Sequence, residues 1–370
     1  MLTQLRRVGM VAMTVAGALM VSGCAELREV ANLPPDALRG HLIGAGASSQ
    51  GSAQEAWTVG FQLANPGVTI TYDPIGSGGG RETFQSGAAF FAGSDRAFRV
   101  SEIRDGRFDS CVVESGIWQI PAYISPIAII FNLDGVDGLN LDADTIAGIF
   151  TGKINRWDDP AITRQNPGVE FPDLHITPVH RSDKSGTTGN FADYLSKAAP
   201  DVWVVGGVNA GPTEEWFSEW GGEGAPQTSG VVDTVANGVG TIGYVDASRA
   251  GDMGVVSVKV GDQYVPYTPE AAAAIVDASP LDNPGERAPG DLALEIDRTT
   301  VAAGTYPIVL ISYLVGCNEY RQSEVVPLVK GYASYVLSEE GQRFAADYAG
   351  NAPISELSRQ KALAIVKGIR

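Results

Sequence analysis

Four times between residues 44 and 188, an apolar run that reads as a strand ends in glycine and gives way to hydroxyl residues where a helix-like stretch begins. The segments are Gly44-Ala45-Gly46-Ala47-Ser48-Ser49, Ile75-Gly76-Ser77-Gly78-Gly79-Gly80, Gly93-Ser94-Asp95-Arg96 and His180-Arg181-Ser182-Asp183-Lys184-Ser185-Gly186-Thr187-Thr188. Strands alternating with helices restrict the chain to an α/β architecture. The pattern predicts strands over His41–Ala45, Val68–Tyr72, Ala88–Ala92, His175–Arg181, Gly240–Val245 and Tyr306–Leu314, with a long apolar run at Pro121–Asn132. It predicts helices over Ala53–Ala64, Leu141–Phe150, Thr187–Lys197, Val232–Asn237, Glu324–Leu337, Glu339–Tyr348 and Ser355–Gly368, the last with Ser355 as its N-cap. The Pro- and Gly-rich stretches at 211–230 and 279–290 read as loops.

The chemistry of these turns is that of an anion site. A helix N-terminus leaves backbone N–H groups unpaired and carries partial positive charge. Glycine lets an anion approach those groups, and Ser or Thr adds a donor. A single such turn is ordinarily just an N-cap, so the fourth segment is the specific one. Within seven residues it supplies a planar cation (Arg181), a carboxylate able to orient it (Asp183), hydroxyls and a helix start at Ser185, Gly186 and Thr187. Nucleotide and hydrolase motifs are absent: G-x-G-x-x-G fails at both glycine-rich turns, Gly152-Lys153 is no P-loop, and G-x-S-x-G does not occur. The three histidines (His41, His175, His180) have no metal-ligand spacing, so neither a metal nor another cofactor is expected.

The first 24 residues carry an export signal. Arg6 and Arg7 precede an apolar run from Val8 to Val21 that is short for a membrane span, followed by Val21-Ser22-Gly23-Cys24. Small residues before a lone Cys resemble a lipoprotein cleavage site, which would make Cys24 the lipidated first residue and residues 24–37 a tether. Losing Arg6 and Arg7 with the leader takes the net charge from −17 to −19. Such a surface argues against nucleic acid or an anionic membrane as partner. It also requires that any bound anion be held by local dipoles and a buried cation. Outside the cytoplasm the pair Cys111 and Cys317 favours a disulfide over two unrelated thiols.

Taken together, the four turns resemble the substrate-binding proteins of bacterial phosphate ABC transporters. Phe150-Thr151-Gly152-Lys153-Ile154-Asn155-Arg156-Trp157-Asp158 and Gly240-Thr241-Ile242-Gly243-Tyr244-Val245 resemble two further landmarks of that family. The resemblance implies a two-domain clamp with two hinge crossings near 124–126 and 304–306. One domain would comprise 38–124 plus 306–370, the other 125–305, with the ligand between them. It implies phosphate contacts from Ser48, Ser49, Ser77, Asp95, Arg181, Ser185, Gly186 and Thr187, with Asp183 orienting Arg181. The implied protein is a non-enzymatic, extracytoplasmic monomer, held on the cell membrane by lipid, that passes inorganic phosphate to ABC permease subunits. A binder of sulfate or another tetrahedral oxyanion and a phosphate-sensing lipoprotein are the alternatives. A phosphatase using Ser48 or Ser185 would lack a base, because His180 alternates to the other face of its strand from Arg181. Three points stay open in the sequence: Ser49, where the family often has an aromatic or small apolar residue; Arg96, beside Asp95; and the path of residues 98–115.

Overall fold

The computed structural model describes residues 33–277, 279–283 and 285–370; the expected leader, Cys24 and the expected tether up to residue 32 lie outside them. β1 (Gly40–Gly46) pairs in parallel with β2 (Val68–Asp73) and β3 (Phe91–Ser94). α1 (Gly51–Ala64) and α2 (Ser77–Gln85) connect them, and α3 (Val100–Asp105) follows β3. β4 (Ile117–Asn132) leads to β5 (Gly138–Leu141), α4 (Ala143–Phe150) and the short α5 (Pro160–Thr163). Then come β6 (Thr177–Arg181), α6 (Gly186–Ala198) and the hairpin of β7 (Val204–Val205) and β8 (Val208–Asn209). The chain continues through β9 (Glu223–Ala225), α7 (Gln227–Asn237), β10 (Thr241–Asp246), β11 (Gly254–Val260), β12 (Gln263–Val265) and α8 (Pro269–Asp277). It closes with β13 (Val309–Cys317), α9 (Val326–Val336), α10 (Glu339–Ala349) and α11 (Glu356–Lys367).

The strands run in the order β2-β1-β3-β13-β4-β10-β6-β9, with β11 joined to β4 and carrying β5 and β12. β4 is where the sheet divides. Its residues from Ile117 to Pro126 pair antiparallel with β13, and those from Ile127 to Asn132 pair antiparallel with β10. Proline has no N–H to give a ladder. Pro126 sits at the change of partner, and Pro121 lies beside the register shift between Ser312 and Tyr313. The return passage is adjacent: Ile127 N donates to Ile308 O (2.7 Å), just before β13 begins. Two halves joined by two neighbouring strands make the two-domain clamp. The α/β class expected from the alternating pattern is the one observed.

Each half has its own packing. In the first, α10 lies on α1, where Trp57 Nε1 donates to Gly341 O (2.9 Å), and Phe61 of α1 meets the ring of Tyr332 on α9 edge-on. In the second, Phe191 stacks on Tyr244 with ring centres 4.4 Å apart, and Phe150 meets both edge-on. The Cys111–Cys317 disulfide ties the 98–115 segment to the end of β13, and Phe108 packs between Phe84 and Phe98. Ser355 caps α11 by accepting from Ser358 N.

Element boundaries differ from the sequence pattern in informative places. β3 begins at Phe91 rather than Ala88, and β13 at Val309 rather than Tyr306. β4 begins four residues before Pro121, its burial unbroken from Ile117 to Phe131, because both its faces are covered. α7 begins at Gln227, inside the stretch expected to be loop up to residue 230. Pro226 sets its start, and Gln227 takes a left-handed φ of 59° to turn into it.

Candidate anion-binding site

The N-terminal ends of four helices meet where the halves touch. α1 and α2 come from the β1–β3 half, α6 and α7 from the β6–β10 half. The contacts across the seam are direct. Gly78 N donates to Lys184 O (3.1 Å). Thr228 N donates to Ser48 Oγ (3.2 Å), whose hydroxyl also meets Thr228 Oγ1 at 3.0 Å. Thr187 Oγ1 donates to Asp95 Oδ2 (3.3 Å), and Asn190 Nδ2 to Asp95 O (2.7 Å). The Arg181–Asp183 pair lies over Gly76, whose φ is 93°; a Cβ there would come within 2.5 Å of Asp183 Oδ2. Glycine is required at 76 both for that backbone conformation and for that approach.

On the β6 side, the cation is fixed by the protein's own groups. Arg181 ends β6 with its side chain 3% exposed. Nε donates to Asp183 Oδ1 at 2.7 Å and Nη2 bonds Asp183 Oδ2, a two-pronged pair. Gln227 N donates to Asp183 Oδ1 (2.9 Å), so the strained start of α7 also locates this carboxylate. Burial alone would raise the Asp183 pKa, but the hydrogen bonds and charge of Arg181 outweigh it and hold the carboxyl below its ordinary range. Arg181 N donates to Tyr244 Oη (3.4 Å), and burial pushes the Tyr244 phenol up to about 12. Arg181 Nη1 makes no hydrogen bond among the described residues. Ser185 caps α6 by accepting from Thr188 N (3.2 Å), which leaves its hydroxyl proton available.

On the β1–β3 side, the centre is a carboxylate with no ion-pair partner among the described residues. Asp95 is 3% exposed. Ser49 Oγ donates to both its oxygens (2.8 and 2.7 Å), and its own backbone N donates to Ser77 Oγ (3.1 Å). Burial raises the Asp95 pKa; the hydroxyls of Ser49 and Ser312, the charge of Arg181 and the hydroxyl of Thr187 oppose it without cancelling it. Ser48, Ser49, Ser77, Gly186 and Thr187 keep backbone N–H groups with no acceptor among the described residues. Two halves thus bring together unpaired N–H donors, hydroxyls, one buried guanidinium and one buried carboxylate. Such a set can wrap a small tetrahedral anion.

All eight residues singled out in the sequence, with Asp183, fall in this one place. Two open points close. Ser49 is the hydroxyl partner of Asp95. Arg96 turns away from Asp95 to Glu214 (2.9 Å) and to both oxygens of Glu102 (2.7 and 2.8 Å). The polar run Ser48-Ser49-Gln50 is accommodated because Gln50 joins a buried chain with Ser312, Gln54 and Tyr332. His180 stacks flat on Trp216 (4.7 Å, 7°), with Nδ1 3.0 Å from the backbone O of Arg181. Thr228, Gln227, Asn190 and Glu214 also belong to the seam, and no local pattern marked them. Thr228 and Gln227 lie at the start of α7, whose N-cap, Pro226, offers no capping side chain to announce it.

Comparison with known proteins gives the fold and the family. Residues 33–340 match the PBP superfamily domain. The phosphate-binding protein PstS 2 of Mycobacterium tuberculosis is 31% identical over 336 residues, covering 89% of this chain and 87% of that one. PstS 3 of Mycobacterium leprae is 34% identical over 301 residues, covering 79% and 77%. Among solved structures, a high-affinity periplasmic phosphate-binding protein bound with phosphate superimposes with a TM-score of 0.70 at 21% identity, covering 88% of this chain and 93% of that one. A putative phosphate ABC transporter substrate-binding protein from Clostridium perfringens gives 0.59 at 20% identity, covering 84% and 98%. The chain belongs to the PBP superfamily and, within it, to the family of PstS phosphate-binding proteins.

Proposed function

We propose that this protein captures inorganic phosphate outside the cytoplasm and delivers it to the permease subunits of an ABC importer. The observation that carries the reading is Asp95, a buried carboxylate among donors. A carboxylate facing an anion repels it unless the anion brings a proton. Inorganic phosphate is protonated near neutral pH and can donate to Asp95; sulfate cannot, and would set acceptor against acceptor. Ser48, Ser49, Ser77, Gly186 and Thr187 would supply backbone N–H groups. Ser48, Ser77 and Ser185 would add hydroxyls, and Arg181, aimed by Asp183, the compensating charge. Ligand bridging both halves would favour the closed clamp.

The boundaries that would fit this action are 38–124 plus 306–370 and 125–305, with crossings near 124–126 and 304–306; the change of partner in β4 after Pro126 and the start of β13 at Val309 support them. Delivery at a membrane fits Cys24 as a lipidated N-terminus and a monomer on a tether; mass spectrometry of the mature protein would detect the acyl groups. Titration of the purified protein with phosphate, arsenate and sulfate tests the reading. Phosphate should bind tightly, arsenate should compete because it has the same shape and also carries a proton, and sulfate should not. Equal binding of sulfate and phosphate would contradict it.

A further inference from the structure

Beyond the groups that would touch the anion, the seam contains a buried ion cluster that spans both halves. Glu214 lies between β8 and β9, in the Arg181 half. Its Oε2 pairs with Arg81 Nη2 (2.5 Å) on α2 and with Arg96 Nε (2.9 Å), both in the Asp95 half. The Arg81 and Glu214 side chains are 4% and 8% exposed. The two arginines bracket the Asp95 turn. Arg81 Nη1 donates to Ser94 Oγ (2.7 Å), Ser94 Oγ to Arg96 O (2.6 Å), and Arg96 directly follows Asp95. On its own side, Glu214 O accepts from Ser185 N (3.0 Å), at the cap of α6. Gly189 on α6 makes room: a Cβ there would sit 3.2 Å from Glu214 Cγ. One residue therefore holds the α6 cap by its backbone and the Asp95 turn by its side chain.

We propose that Glu214 is a positioning residue that latches the closed clamp, its carboxylate locking Arg81 and Arg96 so that the Asp95 turn stays in register with the start of α6. The inference deepens the phosphate reading and rests on it. When the halves separate, all three charges regain water and the latch contributes nothing. In the closed form, loss of the carboxylate leaves the buried Arg81 without its ion-pair partner and Arg96 with Glu102 alone, a penalty confined to that state. The carboxyl stays ionised for this role. Burial would raise its pKa, but the charges of Arg81 and Arg96 and their hydrogen bonds lower it. The latch touches no ligand, so it should govern how long the ligand stays, not which anion is chosen.

The test compares wild type, Glu214→Gln, Arg96→Gln and the double variant by stopped-flow phosphate dissociation, phosphate and sulfate titration, and melting with and without phosphate. Glu214→Gln should release phosphate ~10- to 100-fold faster. The ratio of phosphate to sulfate affinity should be unchanged, and so should the ligand-free melting temperature. Arg96→Gln should act in the same direction, and the double variant should lose little beyond the larger single effect. Release by Glu214→Gln within about twofold of wild type, or a ligand-free melting temperature that falls as far as the phosphate-bound one, overturns the latch alone. If Glu214→Gln does not fold, unchanged release in Arg96→Gln overturns it equally. A wild-type protein that fails to bind phosphate overturns the functional reading and the latch with it.

Discussion

Asp95 and Asp183 are the same residue type, meet in the same cleft and come from opposite halves of the clamp. Their surroundings drive them in opposite directions. Asp183 sits two residues from Arg181, holds its guanidinium at two points and is pulled below the ordinary carboxylate range despite its burial. Asp95 has no ion-pair partner among the described residues; hydroxyls from Ser49 and Thr187 serve it, and burial pushes it up. The contrast separates two tasks. Under the proposed function, one carboxylate would aim a cation at the ligand, and the other would meet the ligand itself and ask it for a proton.

The comparison is broken most forcefully at the cation. Arg181→Ala should cost about 3 kcal/mol or more of phosphate binding, since it removes a charge-assisted donor from a buried site and leaves Asp183 unpaired. Calorimetry that finds unchanged affinity would place the site elsewhere. Asp183→Asn should cost less, about 1–2 kcal/mol, because the guanidinium remains but loses its anchor. The preference for phosphate over sulfate should survive it, whereas a loss of preference would mean the two aspartates share one task. Ser49→Ala removes the hydroxyl bonded to both Asp95 oxygens and should cost about 1 kcal/mol of ligand-free stability in denaturant unfolding.

Opposite pKa shifts give opposite pH behaviour. A carboxyl lowered in the folded state, such as Asp183, contributes stability above its ordinary 3.8 that is lost as pH falls through the folded value. A carboxyl raised by folding, such as Asp95, contributes stability that is full below 3.8 and lost as pH rises through the folded value. Relative to wild type, ligand-free Asp183→Asn should therefore become less stable as pH rises out of the acid range, and Asp95→Asn more stable. Melting temperatures followed across that range check the signs. Curves bending the same way would show that the two environments are not opposed.

How much of this was legible in the sequence follows the same division. Arg181 and Asp183 lie on one short segment with their helix start, so the cation and its anchor could be read locally. The glycine-hydroxyl turns were legible for a similar reason: each is a strand end and helix start adjacent in the chain. The partners of Asp95 were not, because Ser49 and Thr187 reach it only after the sheet assembles and the halves close. Glu214 and Thr228 lie in the 211–230 stretch, whose prolines and glycines hid the start of α7. The 98–115 segment was opaque because its place is set by a disulfide and an aromatic cluster formed with distant residues. The pattern at Pro121–Asn132 read only as a long apolar run and did not show β4 as one strand from Ile117, since proline ordinarily argues against a central strand; here a register shift and a change of partner accommodate both of its prolines.

The account stands or falls on what Asp95 faces. Titration of Asp95→Asn with phosphate and with sulfate at neutral pH, beside wild type, measures that directly. An amide can donate to an unprotonated ligand while still accepting from a protonated one. The variant should keep most of its phosphate affinity and acquire measurable sulfate binding. Phosphate retained with no gain in sulfate would contradict the claim that this carboxylate selects its ligand by the ligand's proton.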